Sequence, residues 1–184
     1  PKEAKSNILT SMAIRKILTE PDPFLRQVSH EVEKVDNKIR ELMDDMCETM
    51  YAAPGIGLAA IQIGIPKRVI VIDLSKEEKK TPMYFVNPKV IVKSKNNATY
   101  EEGCLSVPGQ FAEVDRPDQC NVSYLDYNNQ KKELRAEGLL ATCIQHEMDH
   151  LEGILFIDHL SKLKKNYIVK KLSKQKKVLE RIVV

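Results

Sequence analysis

Nowhere in the 184 residues is there a run of the roughly 18 apolar side chains needed to cross a bilayer, so no membrane span is expected. The four cysteines, Cys47, Cys104, Cys120 and Cys143, lie far apart and form no C-x-x-C pair. That spacing argues against a disulfide framework, and a thiolate ligand among them would imply a reducing compartment. No internal repeat and no linker divides the chain, and its length suits one domain with a real core better than two. An initiator methionine is also missing: residue 1 is Pro, and residues 1–13 carry little pattern. They read as the remnant of an N-terminal extension, either a cleaved targeting peptide or a trimmed end.

What is present is ordinary in amount and uneven in placement. Apolar residues make up 42% and charged residues 30%, the balance of a soluble globular protein. The net charge of +3 hides an asymmetry. From His159 to Val184 there are nine Lys or Arg against one Glu, while the rest of the chain has 20 basic and 25 acidic residues. Within this basic C-terminal segment, 160–184, Ile168, Val169, Leu172, Leu179 and Ile182 recur at helical spacing. A helix packed by one face, with its lysines solvated, accounts for that pattern.

The remaining elements follow from periodicity. Val35, Ile39, Leu42, Met43, Met46 and Met50 predict an amphipathic helix over 35–51, ended by Pro54-Gly55. Its methionine stripe reads as core packing. The β-branched run 68–74 predicts a buried strand. Further strands are expected at 84–86 and 89–93, interrupted by Asn87-Pro88, and at 120–126 and 131–136, joined by a turn at 127–130. A helix at 138–152 follows. Strands gathered before a central helix indicate an α+β fold, with antiparallel or mixed sheets packed around that helix.

The central helix carries the chemistry. In Gln145-His-Glu-Met-Asp-His150, His146 and His150 are four apart and project from one helical face. Two imidazoles so placed can hold one divalent metal, and Glu147 can reach a water on it as general base. The apolar lead-in 138–144 predicts that the helix is buried, and buried histidines need partners. A catalytic site needs a third ligand. The three-histidine metalloprotease pattern would put His at 156, where this chain has Phe156. Glu152 points elsewhere on the helix, and Glu180 stands in the lysine-rich tail. Cys104, on an extended segment, is the better candidate. Gly55-Ile-Gly57-Leu-Ala-Ala60 also fits a loose dinucleotide pattern, but a helix and a proline precede it, so no nucleotide cofactor is expected.

Three segments together resemble the peptide deformylase family: Gly55-Ile-Gly-Leu-Ala-Ala-Ile-Gln62, Glu102-Gly-Cys-Leu-Ser106 and Gln145-His-Glu-Met-Asp-His150-Leu. The likeness runs from about Ile14 to the tail. It implies removal of the formyl group from the N-terminal methionine of nascent peptides by metal-generated hydroxide. Glu147 would take the proton and return it to the departing amine. The metal would be held by Cys104, His146 and His150, and it would be ferrous iron, with zinc, nickel or cobalt as substitutes. Gln62 and the Leu105 N–H would stabilise the oxyanion. The peptide would pair with the Gly55–Gly57 segment, with Ile56, Gly57, Gly103, Leu139 and Cys143 as substrate contacts. Glu102 would pair with Arg116. From their place beside the ligands, Asp149 and Gln145 could orient an imidazole, with a helix-surface role the alternative for Asp149. At Phe111 the chain departs from the basic residue common in bacterial members, which bears on substrate affinity and not on the chemistry.

The family's C-terminal helix further implies ribosome contact through the basic tail. Formylated initiators imply a bacterial cytoplasm or the interior of a plastid or mitochondrion, and the extra N-terminal residues favour the organelle. Two other readings compete: a general metallopeptidase, and a binding module whose tail holds RNA or an anionic surface.

Overall fold

The computed structural model describes residues 13–76 and 78–182. Apart from Ala13, the expected N-terminal extension lies outside the described residues. Helix α1, Asn37–Ala52, starts where the Asp36 side chain accepts the Ile39 N–H at 3.0 Å, satisfying one of the free donors of the first turn. Its methionine stripe is core: Met43, Met46 and Met50 are fully buried against Leu58, Val69 and Val71.

Five strands form one antiparallel sheet in the order β1-β2-β3-β6-β7, with β1 at Gly57–Ala59, β2 at Val69–Ile72, β3 at Met83–Lys93, β6 at Gln119–Leu125 and β7 at Lys131–Glu137. All four β2 side chains are buried, as a continuous β-branched run predicts. β3 is one strand and not the expected two. Asn87 takes φ 50° and holds Val32 through both its amide atoms, at 2.8 and 2.7 Å. The ladder shifts register between Val86 and Lys89, so a bulge absorbs Pro88 without ending the strand.

The hairpin of β4 (Asn97–Cys104) and β5 (Val107–Pro117) was not foreseen. Both its faces are largely polar and half-exposed, so it lacks the alternation that marks a strand with one buried face. Helix α2, Gly138–Leu151, packs against strands of both sheets and is buried on nearly all sides. Phe156, standing where a protease would have its third histidine, is core instead, its ring stacked 6.1 Å from that of His146.

Helix α3, Lys162–Ile182, docks through Ile168 and Leu172 onto a cluster with Val107, Val114 and Phe156. Leu179 and Ile182, expected on the packed stripe, are exposed, as are Leu163 and Tyr167. No helix among the described residues is long and apolar enough to cross a membrane.

Candidate active site

α2 brings His146 and His150 up beneath the end of β4, where Cys104 stands at a register shift. The ligand atoms of Cys104, His146 and His150 all lie within 4.8 Å of one another. A tetrahedral ion with sulfur and imidazole nitrogen at ordinary bond lengths separates those two atoms by about 3.5 Å. Cys104 Sγ is 3.4 Å from His150 Nε2. The donor set, one thiolate and two imidazoles, therefore fits a divalent metal both chemically and in spacing.

The electrostatics fit as well. Burial opposes a charged His146, but Cys104 and Glu102 outweigh it and raise the imidazole pKa well above its ordinary value. The groups facing His146 thus favour positive charge at that point. Burial drives His150 the other way, well below its ordinary value, keeping it a neutral ligand. Its Nδ1 has no partner among the described residues.

A chain of charged groups fixes the first imidazole. His146 Nδ1 donates to Glu102 Oε1 at 2.8 Å, which leaves Nε2 for a ligand. Arg116 grips the same carboxylate twice, Nε to Oε2 at 2.7 Å and Nη2 to Oε1 at 3.0 Å. It reaches Asp149 Oδ2 at 2.8 Å with its third nitrogen. Burial alone would raise Glu102, but the bonds from His146 and Arg116 prevail and lower it. Neither Asp149 nor Gln145 hydrogen-bonds a ligand imidazole, so the orienting role falls to Glu102. Asp149 holds Arg116 and the non-ligand His159 (2.8 Å), and Gln145 donates to the carbonyls of Pro117 and Ala141.

Arg116→Met is expected to destabilise the fold by about 3–5 kcal/mol, because a buried pair broken on one side leaves Glu102 as an uncompensated charge. Urea unfolding at fixed metal concentration measures this. A loss no larger than that of a surface ion pair would show Glu102 finding another partner.

Glu147, 5% exposed, sits with Oε1 4.0 Å from His146 Nε2, and its Oε2 has no partner among the described residues. Burial pushes its carboxyl up to about 7, against the pull of His146. Gly57 makes room for it: a Cβ there would come within 2.6 Å of Glu147 Oε1. The close approach that this glycine permits is thus to the Glu147 carboxylate. Gln62 is held at both ends, with Oε1 accepting the Ala59 N–H at 2.9 Å and Nε2 donating to Ser106 Oγ at 3.0 Å. The first bond fixes the amide so that its NH₂ faces Cys104 Sγ at 3.5 Å. Backbone bonds from Leu18 to Gln62 and from Glu20 to Ser106 brace this corner.

A cleft of about 580 Å³ opens over these groups. Ile56, Gly57, Gly103, Leu105, Leu139 and Cys143 all line it, and no Lys or Arg does so among the described residues. Phe111 stands two-thirds exposed at its mouth, one ring edge over Gly103, where a Cβ would meet it at 2.5 Å. The sequence reading missed Ser106, Thr142 and the link from Glu102 to His146. Only the adjacency of Glu102 and Ser106 to Cys104 hinted at two of them.

Two histidines and an acid on a buried helix, facing a strand-borne cysteine at the base of a cleft, define a metal-dependent hydrolase. The family model described as polypeptide deformylase matches residues 14–166, and the chain belongs to that family. It is 66% identical over 176 residues to a peptide deformylase of Pelagibacter ubique, covering 94% of this chain and all of the relative. The crystal structure of peptide deformylase from Ehrlichia chaffeensis superposes with TM-score 0.86 at 43% identity, covering 90% of this chain and 98% of that one. The same protein in complex with actinonin gives 0.85 at 44%, covering 89% and 98%. Relatives at 58–66% identity are bacterial, so the organelle expectation finds no support. The last three-quarters of α3 lies beyond the residues that the family model matches.

Proposed function

We propose that this chain hydrolyses the N-formyl amide of the N-terminal methionine on newly made polypeptides, releasing formate and a free amine. The observation that carries the reading is the convergence of the Cys104, His146 and His150 ligand atoms within 4.8 Å, beside a buried Glu147. A divalent metal there would activate a water as nucleophile and polarise the formyl oxygen. Ferrous iron is the ion we assign, with zinc, nickel or cobalt able to substitute, because occupancy follows availability more than the affinity order.

Glu147 accepts the proton of the attacking water at Oε1 and returns it to the amine nitrogen as the C–N bond breaks. A carboxyl raised toward neutrality suits both tasks, though a cation beside it draws the value down. Gln62 Nε2 and the Leu105 N–H donate to the developing oxyanion, Gln62 redirecting the N–H that faces Cys104 while the Ala59 and Ser106 bonds hold its amide in place. β1 lies at an edge of the five-stranded sheet, and in the segment leading into it the Gly55 N–H is taken by Met50 and the Ile56 carbonyl by Asp73, so the Gly55 carbonyl and the Ile56 N–H are the main-chain groups we assign to pairing with an extended peptide. Ile56, Leu139 and Cys143 then form the apolar pocket for the methionine side chain, and Gly103 flanks it.

The bacterial relatives support a bacterial cytoplasm as the site of action. The exposed lysines of α3, on a helix that docks through Ile168, Val169 and Leu172 and ties down Lys165 to Asp158, support contact with ribosomal RNA.

Formylated and unformylated methionyl tripeptides, assayed side by side with the iron-loaded enzyme, test the main reading. Formate release without cleavage of either peptide bond is expected. Cleavage of unformylated peptide would instead make the chain a peptidase.

A further inference from the structure

Thr142 is 3% exposed, lines the cleft, and carries an Oγ1 with no hydrogen-bond partner among the described residues. A threonine inside a helix ordinarily returns its hydroxyl to the carbonyl one turn back, which here belongs to Gly138. No such bond forms, although Gln145, further along the same helix, does bond back to Ala141. A buried hydroxyl left unpaired is costly, and a site that keeps one invites a ligand to satisfy it.

Its neighbours narrow the ligand. Leu139 lies one turn before Thr142 and His146 one turn after, so Thr142 stands between the outer pocket and the candidate metal ligand. Cys143 beside it is a neutral thiol, since burial pushes its pKa up to about 12. The wall made by Ile56, Leu139 and Cys143 is thus uncharged, and Thr142, which lines the same cleft, carries an enclosed hydroxyl that must turn about χ1 to meet a ligand there. The formyl group is addressed by Glu147 and Gln62, and the peptide main chain by the β1 edge. What remains for Thr142 is the substrate's first side chain.

Resting on the deformylase reading, we propose that Thr142 is a specificity-determining residue whose hydroxyl donates a hydrogen bond to the thioether sulfur of the substrate methionine. The thioether is a weak but real acceptor. Norleucine has nearly the same shape with a methylene in place of sulfur. It would fill the pocket and leave the hydroxyl unpaired, and a polar group without its partner is how a site rejects an analogue.

The test compares kcat/KM for formyl-methionyl and formyl-norleucyl tripeptides in the wild type and three variants. The wild type is expected to favour the methionyl peptide by about three- to tenfold, the range of one weak neutral hydrogen bond. Thr142→Val keeps the shape without the hydroxyl, and its ratio is expected to fall to near one. Thr142→Ala serves the same purpose should valine pack badly. Thr142→Ser, which keeps the hydroxyl, is expected to keep the preference. A wild type indifferent to the two peptides overturns the proposal. So does a wild-type ratio that survives in Thr142→Val or Thr142→Ala, the result if the hydroxyl turns back to Gly138. Failure of the wild type to release formate from either peptide strikes the deformylase reading instead.

Discussion

Glu147→Gln is expected to lower kcat/KM for formyl-peptide hydrolysis by about 10²- to 10⁴-fold, the range for loss of a positioned proton-transfer group. Glutamine matches the volume and polarity of the acid but can neither hold nor deliver the proton. Cys104, His146 and His150 are untouched by the change, so metal content measured on the purified protein should match the wild type. Stability should not fall either. A carboxyl at 5% exposure whose Oε2 has no partner costs the fold more than a neutral amide of the same shape. The variant therefore separates chemistry from architecture: formate release collapses while metal content and thermal midpoint hold. If activity stays near the wild-type level with metal bound, the proton moves through another group and Glu147 serves only the shape of the pocket.

The sequence and the fold agree best where spacing alone determines geometry. Residues four apart on a helix share a face whatever surrounds them, so His146 and His150 were legible as a pair before any tertiary structure was known. α1 and β2 were legible for the same reason, because each buries a continuous periodic face or run. Matters differ where distant segments meet. Glu102 lies 44 positions from His146, and their 2.8 Å bond depends on the register of the β4–β5 hairpin. That hairpin was itself invisible, because it presents polar residues on both faces. Asp149 could be placed near the ligands but not given a partner. Arg116, which claims it, arrives from β5, and His159 follows only after the chain leaves α2 and turns through Phe156–His159. Leu179 and Ile182 show the opposite error. Their spacing is helical and α3 is a helix there, but nothing among the described residues packs on that end.

Cys104→Ala is expected to empty the site and, with it, to abolish activity. The sulfur is the one donor not carried by α2 and the one that supplies negative charge. Without it there remain two imidazoles, and burial holds His150 neutral. Losing only a supporting hydrogen bond to a ligand costs about 10- to 100-fold in affinity, so losing the anionic ligand itself should cost more. Stability offers a readout independent of turnover. An ion that binds the folded chain and not the unfolded one raises the thermal midpoint as its concentration rises. The wild type, stripped of metal and titrated with zinc or with anaerobic ferrous iron, should show this rise, and Cys104→Ala should stay flat over the same range. The fold should survive, because Cys104 is only a partly buried residue at the margin of the cluster of Val107, Val114 and Phe156 and ends β4 at a register shift, where the chain already departs from regular pairing. A Cys104→Ala protein that keeps its metal would move the third ligand elsewhere. Set beside Glu147→Gln, the two variants divide the site: one loses the reaction and keeps the ion, and the other loses both.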